Sequence, residues 1–167
     1  MLDGESAPCF AGELAAVLLD CVEGGASIGF MASLTLAEAR EFYDLVCAEV
    51  AAGKRILLAA FAGEELVGTV QVLLAALPNG IHRGEIAKML VCRSVRRQGA
   101  ATALIARAEV EARAAGKTLL VLDAVTDGDA AQLYARLGWT RVGEVPGFAL
   151  FPDGAPCSTT YFHKQLA

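Results

Sequence analysis

An apolar run with strand character, Glu85-Ile86-Ala87-Lys88-Met89-Leu90-Val91, leads through a basic turn, Arg96-Arg97-Gln98-Gly99-Ala100-Ala101, into an alanine-rich segment that Gly116 stops. Leu119-Leu120-Val121-Leu122 follows at once, a continuous apolar stretch suited to a strand covered on both faces. Strand, crossover helix and strand in that order give parallel neighbours, because a tight hairpin joins only antiparallel strands. The strand holding Glu85 and the strand ending near Asp123 are therefore expected side by side and parallel. The turn between them has a chemistry of its own. The first amides of a helix lack an intrahelical partner and the peptide dipoles add partial positive charge, so an anion is well received there. Gly99, without a Cβ, lets such a group approach closely, and Arg96 and Arg97 carry charges that no physiological pH removes. The spacing is neither G-x-x-x-x-G-K-[ST] nor G-x-G-x-x-G. In a chain of formal net charge −5, one basic turn marks a site for one anionic ligand.

Around this unit the pattern predicts a mixed sheet. Gly12 to Cys21 reads as a first helix, broken by Gly24-Gly25 before a small strand, Ser27 to Met31. Thr35-Leu36-Ala37-Glu38 has capping-box spacing and opens a second helix that runs to Ala52, with Gly53 as its stop. Two strands, Ile56 to Phe61 and Leu66 to Leu77, are joined by the hairpin composition Ala62-Gly63-Glu64-Glu65, and after the turn Pro78-Asn79-Gly80 a strand from Glu85 to Cys92 extends the meander. Gly99 to Ala115 forms the third helix. Asp129 is expected to cap a fourth, ending near Leu137-Gly138, followed by a strand from Trp139 to Val145. Pro146 to Pro156 reads as a loop without an element of its own, and Ser158 to Gln165 closes the sheet. The expected class is α/β, a mostly antiparallel sheet with one parallel pair, flanked by about four helices.

At 167 residues the chain fits a single domain spanning 1–167. Its 55% hydrophobic content is spread over short runs interrupted by charges and glycines, far below the roughly 20 residues of a bilayer span. Met1-Leu2-Asp3-Gly4-Glu5 is acidic where a signal peptide requires positive charge. A soluble, cytoplasmic protein is expected. The five cysteines form no C-x-x-C pair, and Cys21 and Cys47 fall in helical apolar patterns, so reduced thiols acting as small hydrophobes are expected. His82 and His163 are too isolated to propose a metal site. The acidic balance, without a basic stripe, argues against a nucleic-acid partner.

The spacing Arg96-x-x-Gly99-x-Ala101 resembles the coenzyme A pyrophosphate loop, [QR]-x-x-G-x-[GA], of the GNAT superfamily of N-acetyltransferases. Ala130 to Trp139 resembles that superfamily's A-x-x-x-Y-x-x-x-G-[FW] segment. Within it, His82 to Val91 and Thr140 to Gly147 are similar to stretches of the tabtoxin-resistance type of acetyltransferase. The likeness covers most of the chain from Ser27 onward. It implies transfer of an acetyl group from acetyl-CoA to a primary amine of a small molecule, an amino-acid-like compound, toxin or antibiotic, with a resistance role. It implies pyrophosphate binding by Arg96, Arg97, Gln98, Gly99, Ala100, Ala101 and Thr102, and pantetheine contacts along Leu90, Val91 and Cys92, with Leu90 and Cys92 offering main-chain groups. It carries a base role onto Glu85 and Asp123 and an acid role onto Tyr134. A non-catalytic acyl-CoA sensor and a protein N-terminal acetyltransferase are the competing expectations, and the oligomeric state, a homodimer included, stays open.

The residues themselves allow plainer roles. Glu85 and Asp123 sit in or beside apolar runs, where burial favours the neutral carboxyl and suits a base working near neutral pH; Glu85 can equally be an edge residue and Asp123 a turn former. Tyr134, with a reference pKa of about 10, can donate a proton to a thiolate whose conjugate acid lies near 8.5, or simply pack beside Leu133 and Leu137. Lys88 is a cation among apolar neighbours, either paired with one of these carboxylates or reaching an edge. Asp127 stands where many superfamily members carry Asn, and no cofactor role is assigned to it.

Overall fold

The computed structural model describes residues 1–166. Strands β1 (Arg55–Ala62), β2 (Glu65–Leu74) and β3 (Arg83–Val91) form the antiparallel meander, and β4 (Leu119–Val125) lies parallel to β3. Beyond β4 come β6 (Pro156–Gln165) and then β5 (Thr140–Leu150) at the edge, giving the order β1-β2-β3-β4-β6-β5. Helices α1 (Ala11–Glu23) and α2 (Leu36–Ala51) cover one face, α3 (Ala100–Ala114) and α4 (Asp129–Arg136) the other. Alternation along each strand feeds both cores. Leu57 and Leu90 pack with α1 and α2, whereas Leu58, Val70, Val72 and Ile86 pack with α3. The Thr35–Glu38 capping box forms as its spacing requires, each residue's side chain accepting from the other's amide. No helix among the described residues is long and apolar enough to cross a membrane.

The pairing that matters most is short. β3 and β4 are paired only at Arg83–Leu119, Gly84–Leu120 and Glu85–Val121. Past this point β3 stays on β2 as far as Val91, and β4 stays on β6 as far as Val125. A bulge sets the divergence: between the pairs Gln71–Ala87 and Thr69–Leu90 the third strand uses one residue more than the second, with Lys88 at φ +48°. An inserted residue bends its strand. Where the strands still touch, packing is so close that a Cβ on Gly84 would lie 2.9 Å from Leu120 Cδ2 and 3.0 Å from Val72 Cγ1.

Four expected details are corrected. Ser27–Met31 is not a strand: Gly29 takes φ +91°, and Ser27 Oγ donates to Leu150 O at 2.7 Å instead of extending a ladder. β2 ends at Leu74, leaving Leu77 exposed in the turn. Gly128, not Asp129, caps α4, and Asp129 occupies its first turn. Pro146–Leu150 continues β5, because a register shift between Val145 and Ala149, with Gly147 at φ +62°, absorbs the proline within an edge strand.

One polar cluster locks the second layer. Buried Glu109 of α3 accepts from Trp139 Nε1 at 3.1 Å and from Lys164 Nζ at 2.8 and 2.9 Å, and Lys164 also donates to Leu137 O at 2.8 Å. It ties α3 to the end of α4 and to β6. Glu109→Ala strands a largely buried ammonium and an indole N–H, a loss on the order of 3 kcal/mol. At this chain length that lowers the thermal midpoint by about 6–12 °C, whereas Glu109→Gln, which keeps an acceptor, costs less. A fall of under about 2 °C for the alanine variant would contradict this role.

Candidate active site

The turn after β3 is held from behind. Asp20, near the end of α1, accepts the Arg93 amide at 2.8 Å through Oδ2 and Arg93 Nε at 2.8 Å through Oδ1, fixing the 3-10 turn Arg93–Val95 that leads into the basic segment. Arg96 then folds back, its Nε donating to Val91 O at 3.2 Å. Arg97, at φ +65°, remains on the surface with only a loose contact to Asp129 at 3.9 Å. Gly99 caps α3 at φ +91°, with no side-chain cap and nothing within 4 Å of where a Cβ would stand. The amides of Ala100, Ala101 and Thr102 therefore open on solvent, beside Gln98 and the free guanidinium of Arg97. Of the two arginines, one folds back onto the end of β3 and the other stays exposed beside the start of α3.

The edge of β3 is the second component. The Cys92 amide donates to Val67 O at 2.9 Å and the Cys92 carbonyl accepts from Val95, so both main-chain groups of Cys92 are engaged. Backbone polarity alternates along a strand. Leu90 accordingly faces β2 with Cys92, while Val91 and Met89 turn towards the gap left by β4. The expectation that Leu90 and Cys92 offer their main chain to a ligand is thus corrected by one residue, to Val91 and Met89. A carbonyl–amide chain laid in this gap finds the Val91 N–H, whose own carbonyl is taken by Arg96 and by the Cys21 thiol at 3.6 Å. A separate groove of about 560 Å³ flanks the start of α3, but it is walled by Phe61 and Val67 of β1 and β2 and lies outside the gap.

Around the gap stand the candidate chemical groups, on opposite faces. Ile86 and Leu122 pack into the core under α3 and α4, so Glu85 and Asp123 project to the α1–α2 side. Both are exposed, which corrects the expectation of burial: each lies where the strand pairing gives out. Asp123 Oδ2 accepts from Thr159 Oγ1 at 3.1 Å, a partner that motif reasoning did not find because β6 is far away in sequence. Tyr134 comes from the other side, 4% exposed, its ring 5.6 Å from that of Trp139 and 6.1 Å from that of Phe162. Burial, reinforced by the Asp123 charge, pushes its phenol well above the ordinary value. Lys88 sits on the α1–α2 side with its Nζ 5.9 Å from the Phe30 centroid and 6.0 Å from that of Phe42. Over this face the segment 26–34 is fastened to the β5–β6 hairpin by Ser27 Oγ–Leu150 O and by Ala32 N–Pro152 O at 3.0 Å.

The structure thus combines a split parallel pair with a crossover helix that starts in a basic glycine turn. A sequence model of the acetyltransferase (GNAT) family matches residues 26–139, more than half of the chain, and the chain belongs to that family of acetyl-CoA-dependent N-acetyltransferases. Solved structures share the fold. An N-acetyltransferase from Staphylococcus aureus Mu50 superposes with a TM-score of 0.80 at 16% identity, over 96% of this chain and 94% of that one. The Salmonella typhimurium protein yncA, solved with its cofactor acetyl-CoA, gives 0.79 at 17% identity over 96% and 90%. A ribosomal-protein-alanine N-acetyltransferase from Brucella melitensis gives 0.78 at 19% over 95% and 96%.

Asp20 makes the shape of the turn dependent on pH. Partial burial would raise its pKa, but the Arg93 amide and guanidinium, with the Arg93 and Arg96 charges, outweigh burial and hold it below the usual carboxylate value. The folded protein therefore binds this proton more weakly than the unfolded chain. The stabilisation is complete above the unfolded value of about 3.9 and is lost as pH falls from there through the lower folded value. Asp20→Asn is expected to lose on the order of 1 kcal/mol at pH 7, with the gap to wild type closing below about pH 4 in denaturant titrations. A gap independent of pH would show that the carboxylate charge is not involved.

Proposed function

We propose that this enzyme acetylates the primary amine of a small, amino-acid-like molecule by direct transfer from acetyl-CoA, in which Glu85 and Asp123 take the acceptor's proton and Tyr134 serves the departing sulfur. The placement of the carboxylates and the tyrosine on opposite faces of the β3–β4 split carries this reading. Acetyl-CoA supplies the acyl carbon and a thiolate leaving group. The residues present fit it: amides at the start of α3, Arg97 and Gly99 suit the pyrophosphate, and the Val91 N–H suits the amide-bearing arm.

The remaining chemistry belongs to side chains. An ammonium has no lone pair, so the acceptor attacks only after losing a proton, and Glu85 and Asp123 stand exposed on the face from which it would arrive. Thr159 leaves one oxygen of Asp123 free to do this. On the opposite face Tyr134 holds its proton throughout the pH range of ordinary assays. Its raised pKa does not disqualify it as donor, because the burial that disfavours phenolate disfavours a thiolate beside it as well, raising the proton affinity of the sulfur in step. The fastening of segment 26–34 to the β5–β6 hairpin narrows the acceptor face and supports a small acceptor over a polypeptide. The likeness of His82–Val91 to the tabtoxin-resistance type supports an amino-acid-like toxin, and hence a resistance role.

Tyr134→Phe removes the proton and little else. Single-turnover rates are expected to fall by roughly 10²–10⁴-fold, with acetyl-CoA affinity by calorimetry nearly unchanged. The wild-type profile should show no descending limb from Tyr134 below about pH 10. An unchanged chemical step would reduce Tyr134 to packing. Arg97→Ala should weaken acetyl-CoA binding by about tenfold, and equal affinity would remove Arg97 from the pyrophosphate site.

A further inference from the structure

Lys88 is the one feature of the acceptor face that acetyl transfer, as described, leaves without a task. It stands at the bulge of β3, in a left-handed conformation (φ +48°) that a non-glycine residue adopts only where its surroundings impose it. The side chain is half-buried on the α1–α2 side, yet among the described residues it has neither an ion pair nor a hydrogen bond. Phe30 and Phe42 meet it at the outer reach of a cation–π contact, which engages the charge but none of the three N–H donors. The backbone of segment 26–34 leaves room for it at Gly29, where even a Cβ would stand 3.7 Å from Nζ. Burial holds its pKa below the ordinary lysine value, while Asp123 and Glu85 raise it and Arg55 lowers it further. A cation brought into such a position without a partner is a donor waiting for an anion.

The neighbours say what kind. Glu85 and Asp123 share this face of the sheet with Lys88, so an incoming molecule meets two carboxylates at the split and one ammonium beside it. A zwitterion complements that pattern and a polyamine does not, since its second ammonium would be driven against Lys88. We propose that Lys88 binds the carboxylate of the acceptor, so that the enzyme selects amines that carry a carboxylate a few bonds from the reacting nitrogen. This inference rests on the acetyl-transfer reading of the same cleft, and it makes Lys88 a specificity-determining residue rather than an acid or base.

The test compares matched pairs of acceptors. Acetyl-CoA consumption is measured with the proteinogenic amino acids and short ω-amino acids, each beside its primary carboxamide, for wild type, Lys88→Met and Lys88→Arg. Methionine bears the same backbone strain at this position, so the first variant chiefly removes charge. For the best pair, wild type should favour the acid over the amide by at least about tenfold in kcat/KM, the scale of one charge-assisted hydrogen bond. Lys88→Met should abolish that preference through a rise in KM for the acid, and Lys88→Arg should keep most of it. Calorimetry with acetyl-CoA should give the same affinity for all three proteins. Amides that match acids in wild type, a preference that survives in Lys88→Met, or a panel in which no carboxylate-bearing amine is acetylated each overturn the proposal while leaving acetyl transfer intact. A wild type that binds no acetyl-CoA fails at the earlier step and removes both.

Discussion

Everything in the cleft follows from the short contact between β3 and β4. Two parallel strands packed along their whole length would satisfy each other's main chain and leave no room for a ligand. Here Gly84 draws them together so tightly that a methyl group would collide with Leu120, and the bulge at Lys88 turns β3 away immediately afterwards. The split is therefore a property of the backbone, made by one residue too small to hold the strands apart and one residue too many to keep them together. A Val91 N–H turned to the gap instead of to β2 is its consequence. A ligand with amides of its own can restore the missing ladder, which is strand addition carried out by a small molecule.

The same geometry separates charges. Because neighbouring residues on a strand point to opposite faces, a split sheet can be approached from two sides that differ in character. The α1–α2 side carries Glu85 and Asp123, both exposed, and the half-buried Lys88, with Thr159 bonded to Asp123 and two phenyl rings beside Lys88. The α3–α4 side is a packed core in which Tyr134 lies against Trp139 and Phe162. In the proposed reaction proton removal falls to the wetter face, where a base can exchange with water, and proton donation to the dry one, where a phenol stays protonated. The Glu109 cluster keeps the dry face in place by joining the helix that begins after Gly99 to the end of the helix that carries Tyr134.

Much of this was legible in the order of residues. The strand, basic turn, helix and strand around Gly99 pointed to the parallel pair that the structure contains, because local propensity and crossover handedness leave few alternatives. Other features were not legible, for definite reasons. The Asp20–Arg93 brace and the Asp123–Thr159 bond join distant parts of the chain that no short motif connects. The assignment of main-chain groups missed by one residue, since it depends on which side of β3 faces β2, and the bulge at Lys88 resets that parity. Pro146–Leu150 looked like a loop because its proline and glycine are excluded from central strands, yet β5 is an edge strand whose register shift admits them. Glu85 and Asp123 read as buried because their neighbours are apolar, but the strands part where they stand.

The central claim is that acetyl-CoA completes β3 across the split while its phosphates rest on the start of α3. Residue-resolved amide hydrogen exchange, with and without acetyl-CoA, tests it most directly. The account predicts new protection at Met89 and Val91 and at Ala100, Ala101 and Thr102, with Leu90 and Cys92 unchanged because β2 already engages that side of the strand. Protection confined to the groove beside Phe61 and Val67, with Val91 exchanging as fast as before, would contradict it.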